Sequence, residues 1–462
     1  MTLVLPETVF KAYDIRGTVP EQLNASFAYL LGRALARRTR SAGADRVVVG
    51  YDGRLSSPEL SEALQKGIVD EGVDTVDIGM VPTPLVYFKS YSEKIGTAVA
   101  ITGSHNPPQY NGFKMMVDGK ALYGDDVLAL REEMQALQTE PVAAEKGRIH
   151  KQDIVQTYID RIVSDVKLAR PMKIAVDCGN GVAGIAAAKL FRALGCDVTE
   201  LFCEVDGAFP NHHPDPADPH NLEDLQRTLQ DSDVEIGLAF DGDGDRLGVV
   251  TRSGSIIWPD RQLILFARDI LSREPGATII YDVKCSRHVT TSVQEAGGKP
   301  LMWRTGHSLI KAKLAETGAP LAGEMSGHIF FKERWYGFDD GLYTGARLLE
   351  ILSRADDPTA VLDALPEGIS TPELKLEMDE GQQFALIKTL QEKATFPGAS
   401  RIVTIDGVRA EYEDGFGLAR ASNTTPVVVL RFEGDSQEAI DRIRGEFKDV
   451  FSEFAPTAKL PF

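Results

Sequence analysis

The chain has 462 residues, of which 43% are hydrophobic, and a formal net charge of −18. That length exceeds what a single hydrophobic core organises, so several domains are expected, and the acidic balance argues against nucleic acid, whose phosphates would meet a like-charged surface. No apolar stretch could span a bilayer, residues 1–6 lack the basic start and long apolar run of a secretory signal, and the four cysteines show no C-x-x-C spacing; the expectation is a cytoplasmic protein with reduced thiols and no membrane association.

In chain order, three segments repeat one pattern: an apolar strand with a polar loop at its end, helical sequence, a second strand, further helix, then another strand-end loop. The opening strands are predicted over 46–50, 173–177 and 278–282. The first leads into Tyr51-Asp52-Gly53-Arg54 and a helix over 59–69 that begins near Pro58, a residue suited to the first helical turn. The second leads into Cys178-Gly179-Asn180-Gly181 and a helix over 185–194, the third into Val283-Lys284-Cys285-Ser286 and a helix over 287–296. The closing strands, 97–101, 236–240 and 319–322, each run into a motif-bearing loop. Beyond about residue 365, strands over 371–378, 401–405 and 426–432 alternate with helices over 381–393 and 436–454, an α+β pattern. The expected fold is α/β: three tandem βαβ-rich domains of similar topology (1–150, 151–254, 255–367) and a smaller α+β C-terminal domain (368–462), arranged around a central cleft.

Thr102-Gly103-Ser104-His105-Asn106-Pro107 places a hydroxyl on a tight turn at a strand's carboxyl end, with His105 beside it. Ligands bind at such ends in α/β proteins, so Ser104 is a candidate nucleophile, although an ordinary turn has the same composition. Asp241-Gly242-Asp243-Gly244-Asp245-Arg246 sets three carboxylates at alternate positions, spaced by glycines that let the backbone converge them on one hard cation. A calcium loop of the EF-hand type is rejected, because Arg246 and Arg252 stand where that motif needs Gly and Glu. Gly323-Glu324-Met325-Ser326-Gly327-His328 offers donors and acceptors suited to sugar hydroxyls, and Arg420-Ala421-Ser422-Asn423-Thr424-Thr425 joins a guanidinium to small polar side chains that fit a phosphate. Local charge is favourable for such a substrate, because Arg16, His105, Lys114, Arg246, Lys284, His307, His328 and Arg420 all lie on these or neighbouring loops.

Together, TGSHNP, DGDGDR, GEMSGH and RASNTT, in this order and near these spacings, resemble the α-D-phosphohexomutases over essentially the whole chain. Tyr13-Asp14-Ile15-Arg16-Gly17, Asn111-Gly112-Phe113-Lys114 and Arg304-Thr305-Gly306-His307 fit the same family. Met325 resembles the bacterial phosphomannomutase/phosphoglucomutase group, whereas phosphoglucosamine mutases typically carry Gln there.

The resemblance implies reversible interconversion of hexose 1-phosphate and hexose 6-phosphate, for mannose and glucose, through phosphorylated Ser104 and a hexose 1,6-bisphosphate that turns over within the site. It implies one Mg²⁺ per chain, held by Asp241, Asp243, Asp245 and a phosphoryl oxygen on Ser104, with glucose 1,6-bisphosphate as intermediate and activator. Glu324 and Ser326 would bond the 3- and 4-hydroxyls, while Met325 offers no partner to an amino group at C2. Arg420, Ser422, Asn423, Thr424 and Thr425 would hold the distal phosphate, with Lys284 among the substrate contacts. His105, Lys114 and Arg246 would assist the transfer; Tyr13 and Arg16 would orient the phosphoserine or the substrate. The proton-transfer group is open among His307, His328 and a Lys114 of lowered pKa. Partners are phosphohexoses; a monomer is allowed, but the oligomeric state is left open. A phosphoglucosamine mutase and a metal-dependent sugar-phosphate phosphatase rank below this reading.

Overall fold

A computed structural model describes residues 3–423 and 425–462. It is an α/β fold of four sheets, the first three built on one plan. In each, an opening strand (Arg46–Tyr51, Lys173–Asp177, Thr278–Asp282) lies between two parallel neighbours. One neighbour is the second strand (Asp74–Met80, Asp197–Leu201, Lys299–Trp303); the other is the strand that carries the motif loop (Ala98–Ile101, Ile236–Phe240, Leu321–Gly323). The buried opening strands are apolar runs, as expected of parallel strands covered on both faces.

The sequence pattern did not reveal the strand on the far side of each motif loop. There the chain turns back antiparallel, as Tyr110–Val117, Leu247–Thr251 and Ile329–Phe331, pairing Ala100 with Lys114, Phe240 with Leu247 and Gly323 with Ile329. The nucleophile, aspartate and glutamate loops therefore occupy equivalent hairpin positions. Elsewhere the expected ranges shift at their ends. The strand expected over 371–378 spans only Leu374–Glu377, beginning after Pro372, which has no N–H for a ladder. The helix expected over 185–194 divides into a 3₁₀ turn, Val182–Ile185, and Ala187–Ala193.

A continuous core runs from Val48 and Leu85 through Val176 and Leu238 to Leu321 and Leu365, so the first three units pack as one body. Helix Gly341–Leu352 cements them: it is buried along almost its whole length, and Gly345 lies against Phe191 and Leu238. The C-terminal sheet is all antiparallel, with helices Gln382–Lys393 and Gln437–Phe454 over a separate core of Leu376, Phe432 and Phe447. It meets the third unit through a small apolar cluster, Val283, Phe416 and Leu418, and through Arg409, which donates to the carbonyls of Val283 and Cys285 at 2.6 and 2.7 Å.

Asp340 shows how tightly the body is joined. It caps helix Gly341–Leu352 by accepting from the Tyr343 amide at 2.9 Å, and it accepts from the buried Tyr158 hydroxyl at 2.8 Å, 182 residues distant in sequence. Asp340→Ala removes the cap and strands the hydroxyl, for an expected loss of about 2–4 kcal/mol. Urea denaturation checks this, and wild-type stability of the variant contradicts it.

Candidate active site

Ser104 sits at φ +50°, in the left-handed region that a non-glycine residue rarely adopts, and is 1% exposed. Its amide donates to Thr102 Oγ1 at 2.8 Å. Its hydroxyl donates to Asp241 Oδ2 at 3.1 Å and lies 3.2 Å from His105 Nδ1. The aspartate loop can come this close because position 242 is glycine: a Cβ there would lie 2.3 Å from the Ser104 carbonyl oxygen.

Asp241, Asp243 and Asp245 are wholly buried, and each offers a carboxylate oxygen within 4.8 Å of the others. Asp241 Oδ1 accepts from the amides of Asp245 and Arg246. Lys114 donates to Asp243 at 2.8 Å and to Asp245 at 2.5 Å, while the second oxygens of both, buried, have no hydrogen-bond partner among the described residues. Three clustered hard oxygen donors, two with an unpartnered buried oxygen, suit a divalent cation such as Mg²⁺. Burial together with Asp243 and Asp245 holds Asp241 well above the usual carboxylate range, the signature of like charges crowded without enough compensation.

Lys114 departs from one expectation. Burial disfavours its charge, but Asp243, Asp245 and Asp339 outweigh burial and hold its pKa well above the lysine norm, opposite to the lowering a general base would need. Burial, followed by the cation Arg246, pushes His105 down; burial, followed by Lys311, pushes His307 down. Arg246 Nε donates to His328 Nε2 at 3.0 Å, so Nδ1 carries the proton and faces Asp339 at 3.0 Å. Asp339 is in turn paired with Lys311 at 2.9 Å.

The sugar loop joins the others through short links. Glu324 is 1% exposed and accepts from the Gly306 amide at 2.5 Å; burial raises it to about 7, with His328 opposing. The Met325 amide donates to Asp282 at 3.1 Å, and Ser326 is half-buried in the same turn. His307 opens helix His307–Thr317, its ring 5.7 Å from that of His328 and 5.3 Å, edge-on, from that of Tyr13. Arg16, on strand Ile15–Thr18, is paired with Asp14 at 2.6 Å and contributes to the positive field at His105.

Arg420 lies on strand Gly415–Ala421 rather than in a loop, and only the residues after it turn. Its Nε donates to Asp406 at 3.2 Å, and Asp406 also accepts from the Thr305 amide at 2.9 Å, so the C-terminal turn is pinned beside Gly306 and Glu324. Arg420 Nη2 is buried without a hydrogen-bond partner among the described residues, and Tyr13 feels the Arg420 charge. Ser422 and Thr425 are joined through their hydroxyls at 3.0 Å, Asn423 is half-buried between them, and Thr424 lies outside the described residues. Lys284 faces Glu373 at 2.7 Å, across the junction of the third and C-terminal units.

Several contributors escaped the sequence reading. Thr83 donates its hydroxyl to Asp243 at 2.6 Å and its amide to the Asp243 carbonyl at 2.9 Å; Pro82-Thr83-Pro84, at a strand end and a helix start, was the available signal. His213 hydrogen-bonds the His105 carbonyl. Lys311, on the helix that His307 opens, and Asp339, beyond the glutamate loop, lie outside the motifs themselves.

Known proteins resemble this chain in sequence and in fold. Four family models, described as phosphoglucomutase/phosphomannomutase alpha/beta/alpha domains I, II and III and the C-terminal domain, match residues 7–140, 156–254, 258–367 and 373–450. The chain is 56% identical over 445 residues to a phosphoglucomutase of Neisseria gonorrhoeae, covering 96% of each. It is 52% identical over 459 residues to a phosphomannomutase/phosphoglucomutase of Pseudomonas aeruginosa, covering 99% of this chain and 98% of the relative. A crystal structure of a phosphoglucomutase/phosphomannomutase family protein from Burkholderia thailandensis superposes with TM-score 0.94 at 55% identity, covering 99% of this chain and 100% of that one. With four matched units in register and more than half of the residues shared with such relatives, the chain belongs to the phosphoglucomutase/phosphomannomutase family.

Proposed function

We propose that the protein interconverts hexose 1-phosphates and hexose 6-phosphates of glucose and mannose, with Ser104 carrying the phosphoryl group between two half-reactions. The observation that carries this reading is the Ser104 hydroxyl, held 3.1 Å from Asp241 at the edge of the buried aspartate cluster. Relatives named phosphoglucomutase and phosphomannomutase/phosphoglucomutase support it.

Asp241, Asp243, Asp245 and a phosphoryl oxygen on Ser104 would hold one Mg²⁺. Bound there, the cation supplies charge withdrawal from the oxygens of the moving phosphoryl group. Lys114, held positive by its aspartates, and Arg246 add fixed positive charge beside the same oxygens. In the first half-reaction the substrate hydroxyl oxygen bonds to phosphorus as the Ser104 Oγ–P bond breaks, and the hydroxyl proton leaves to a base. His307 suits that role better than His328: its Nε2 is buried without a hydrogen-bond partner among the described residues, whereas the one acceptor nitrogen of His328 is taken by Arg246 Nε. The bisphosphate then turns about, and Ser104 takes back the other phosphate. Glu324 and Ser326 read the hydroxyls at C3 and C4 and leave C2 unread, which admits both epimers. No observation favours a phosphatase.

Intact mass of the purified protein treated with glucose 1,6-bisphosphate should show one added phosphate, mapped to Ser104. A coupled assay should give comparable kcat/KM for glucose 1-phosphate and mannose 1-phosphate, and Ser104→Ala should lose roughly 10³-fold or more. Phosphate on Asp241 would overturn the mechanism; a strong preference for glucosamine 1-phosphate would overturn the sugar assignment.

The C-terminal unit has its own core, so we expect it to close on the substrate phosphate by bending near residues 365–370. Arg420→Ala removes a charge-assisted contact and should raise KM about 10–100-fold, with more free bisphosphate released per turnover. An unchanged KM and unchanged release would place the clamp elsewhere.

Glu324 supplies a pH signature. Its folded pKa, about 7, stands above the ordinary 4.5, so the neutral acid is favoured. Its contribution to stability is complete below about pH 4.5 and fades as pH rises through 7. Glu324→Gln should reduce the loss of stability with rising pH in urea denaturation between pH 5 and 7.5, with Asp340, which burial also raises to about 7, keeping the remainder. A variant with the wild-type slope would refute the assignment.

A further inference from the structure

The loop Asp52-Gly53-Arg54, at the carboxyl end of the first unit's central strand, makes no hydrogen bond to the aspartates or to the phosphate turn among the described residues, yet it is built as tightly as either. The Arg54 side chain is wholly buried, with no exposed surface. Its Nη2 donates to the carbonyls of Ser104 and Asn106 at 2.8 and 2.5 Å, and its Nη1 to those of Pro107 and Tyr110 at 2.6 and 3.0 Å. Asp52 balances the charge, accepting from Arg54 Nε at 3.1 Å, and also accepts from the Gly103 amide at 3.1 Å. One guanidinium thus gathers four carbonyls of the loop that carries the nucleophile, and its partner holds the residue before it. Position 103 must be glycine to admit this, since a Cβ there would lie 2.4 Å from Arg54 Cζ.

We propose that Arg54 is a positioning residue for phosphoryl transfer: through its planar fork it fixes the backbone of residues 104–110, including the left-handed Ser104, so that the Ser104 hydroxyl faces Asp241. A fork of five N–H donors matches four converging carbonyls, whereas a lysine ammonium has three donors and no plane. Arg54 touches this loop and no group assigned to the sugar or its phosphate, so its loss falls on the chemical step and spares substrate binding.

This role for Arg54 rests on Ser104 as the phosphoryl carrier, so wild-type labelling by glucose 1,6-bisphosphate is read first; phosphate mapped elsewhere ends that reading independently of Arg54. Arg54→Ala and Arg54→Lys are then compared with wild type for glucose 1-phosphate turnover and for the single-turnover rate of Ser104 labelling, with circular dichroism and thermal melts recording the folded fraction. The expected result is a fall of about 100-fold or more in kcat and in labelling rate in both variants, with KM within about threefold of wild type. Added guanidinium should restore at least about tenfold in Arg54→Ala and nothing in Arg54→Lys. Wild-type kcat in Arg54→Lys, a loss seen in KM alone, a loss that tracks the unfolded fraction, or no rescue of a folded Arg54→Ala would overturn the proposal. If Arg54→Ala does not fold, Arg54→Lys decides.

Discussion

Three carboxylates buried in one five-residue turn repel one another, and burial alone would force them to take up protons. Much of the molecule answers that constraint. Lys114 reaches the turn from the return strand of the first sheet, Thr83 from a helix start in the same unit, and Arg246 from beside the turn. The amide of Gly341, at the start of the cementing helix, donates to the Gly244 carbonyl at 3.1 Å. Elements from three units must therefore dock on the aspartates before the cluster can stay charged, which couples assembly of the core to preparation of the site. The residual frustration, seen in Asp241, leaves room for a divalent cation.

The repeated hairpin explains how one plan yields three different tasks. Each motif loop joins a buried parallel strand to an antiparallel return strand, a connection held at both ends by ladder hydrogen bonds. The loop between can change its chemistry without disturbing the sheet, in the manner of functional loops on rigid scaffolds. In the first unit it presents Ser104, in the second the aspartates, in the third Glu324 and His328. The fourth unit departs from the plan, offering Arg420 from an antiparallel strand over a separate core.

The net charge of −18 does not describe the site. Lys114, Arg246, Arg16 and Arg420 reach it from different units, each matched at short range by carboxylates, and Arg420 Nη2 is left buried without a hydrogen-bond partner among the described residues. A small anion meets the local charge, whereas a long polyanion would meet the whole surface. Among the described residues no helix is long and apolar enough to cross a membrane.

From residue order came the α/β class, the three opening strands to within a residue, and the nucleophile, aspartate and glutamate loops, whereas Arg420, expected in a loop, lies on a strand. Such features are local: apolar runs mark buried strands, glycines mark tight turns, and charge at alternate positions marks a cation loop, so each is legible within a few residues. Tertiary structure alone decided the partnerships. Thr83 and Lys311 carry no motif, the high pKa of Lys114 comes from carboxylates more than 120 residues away, and Arg54 reads as a turn residue until four carbonyls converge on it. The return strands were equally hidden, because antiparallel closure is set by pairing between distant segments rather than by the composition of either one.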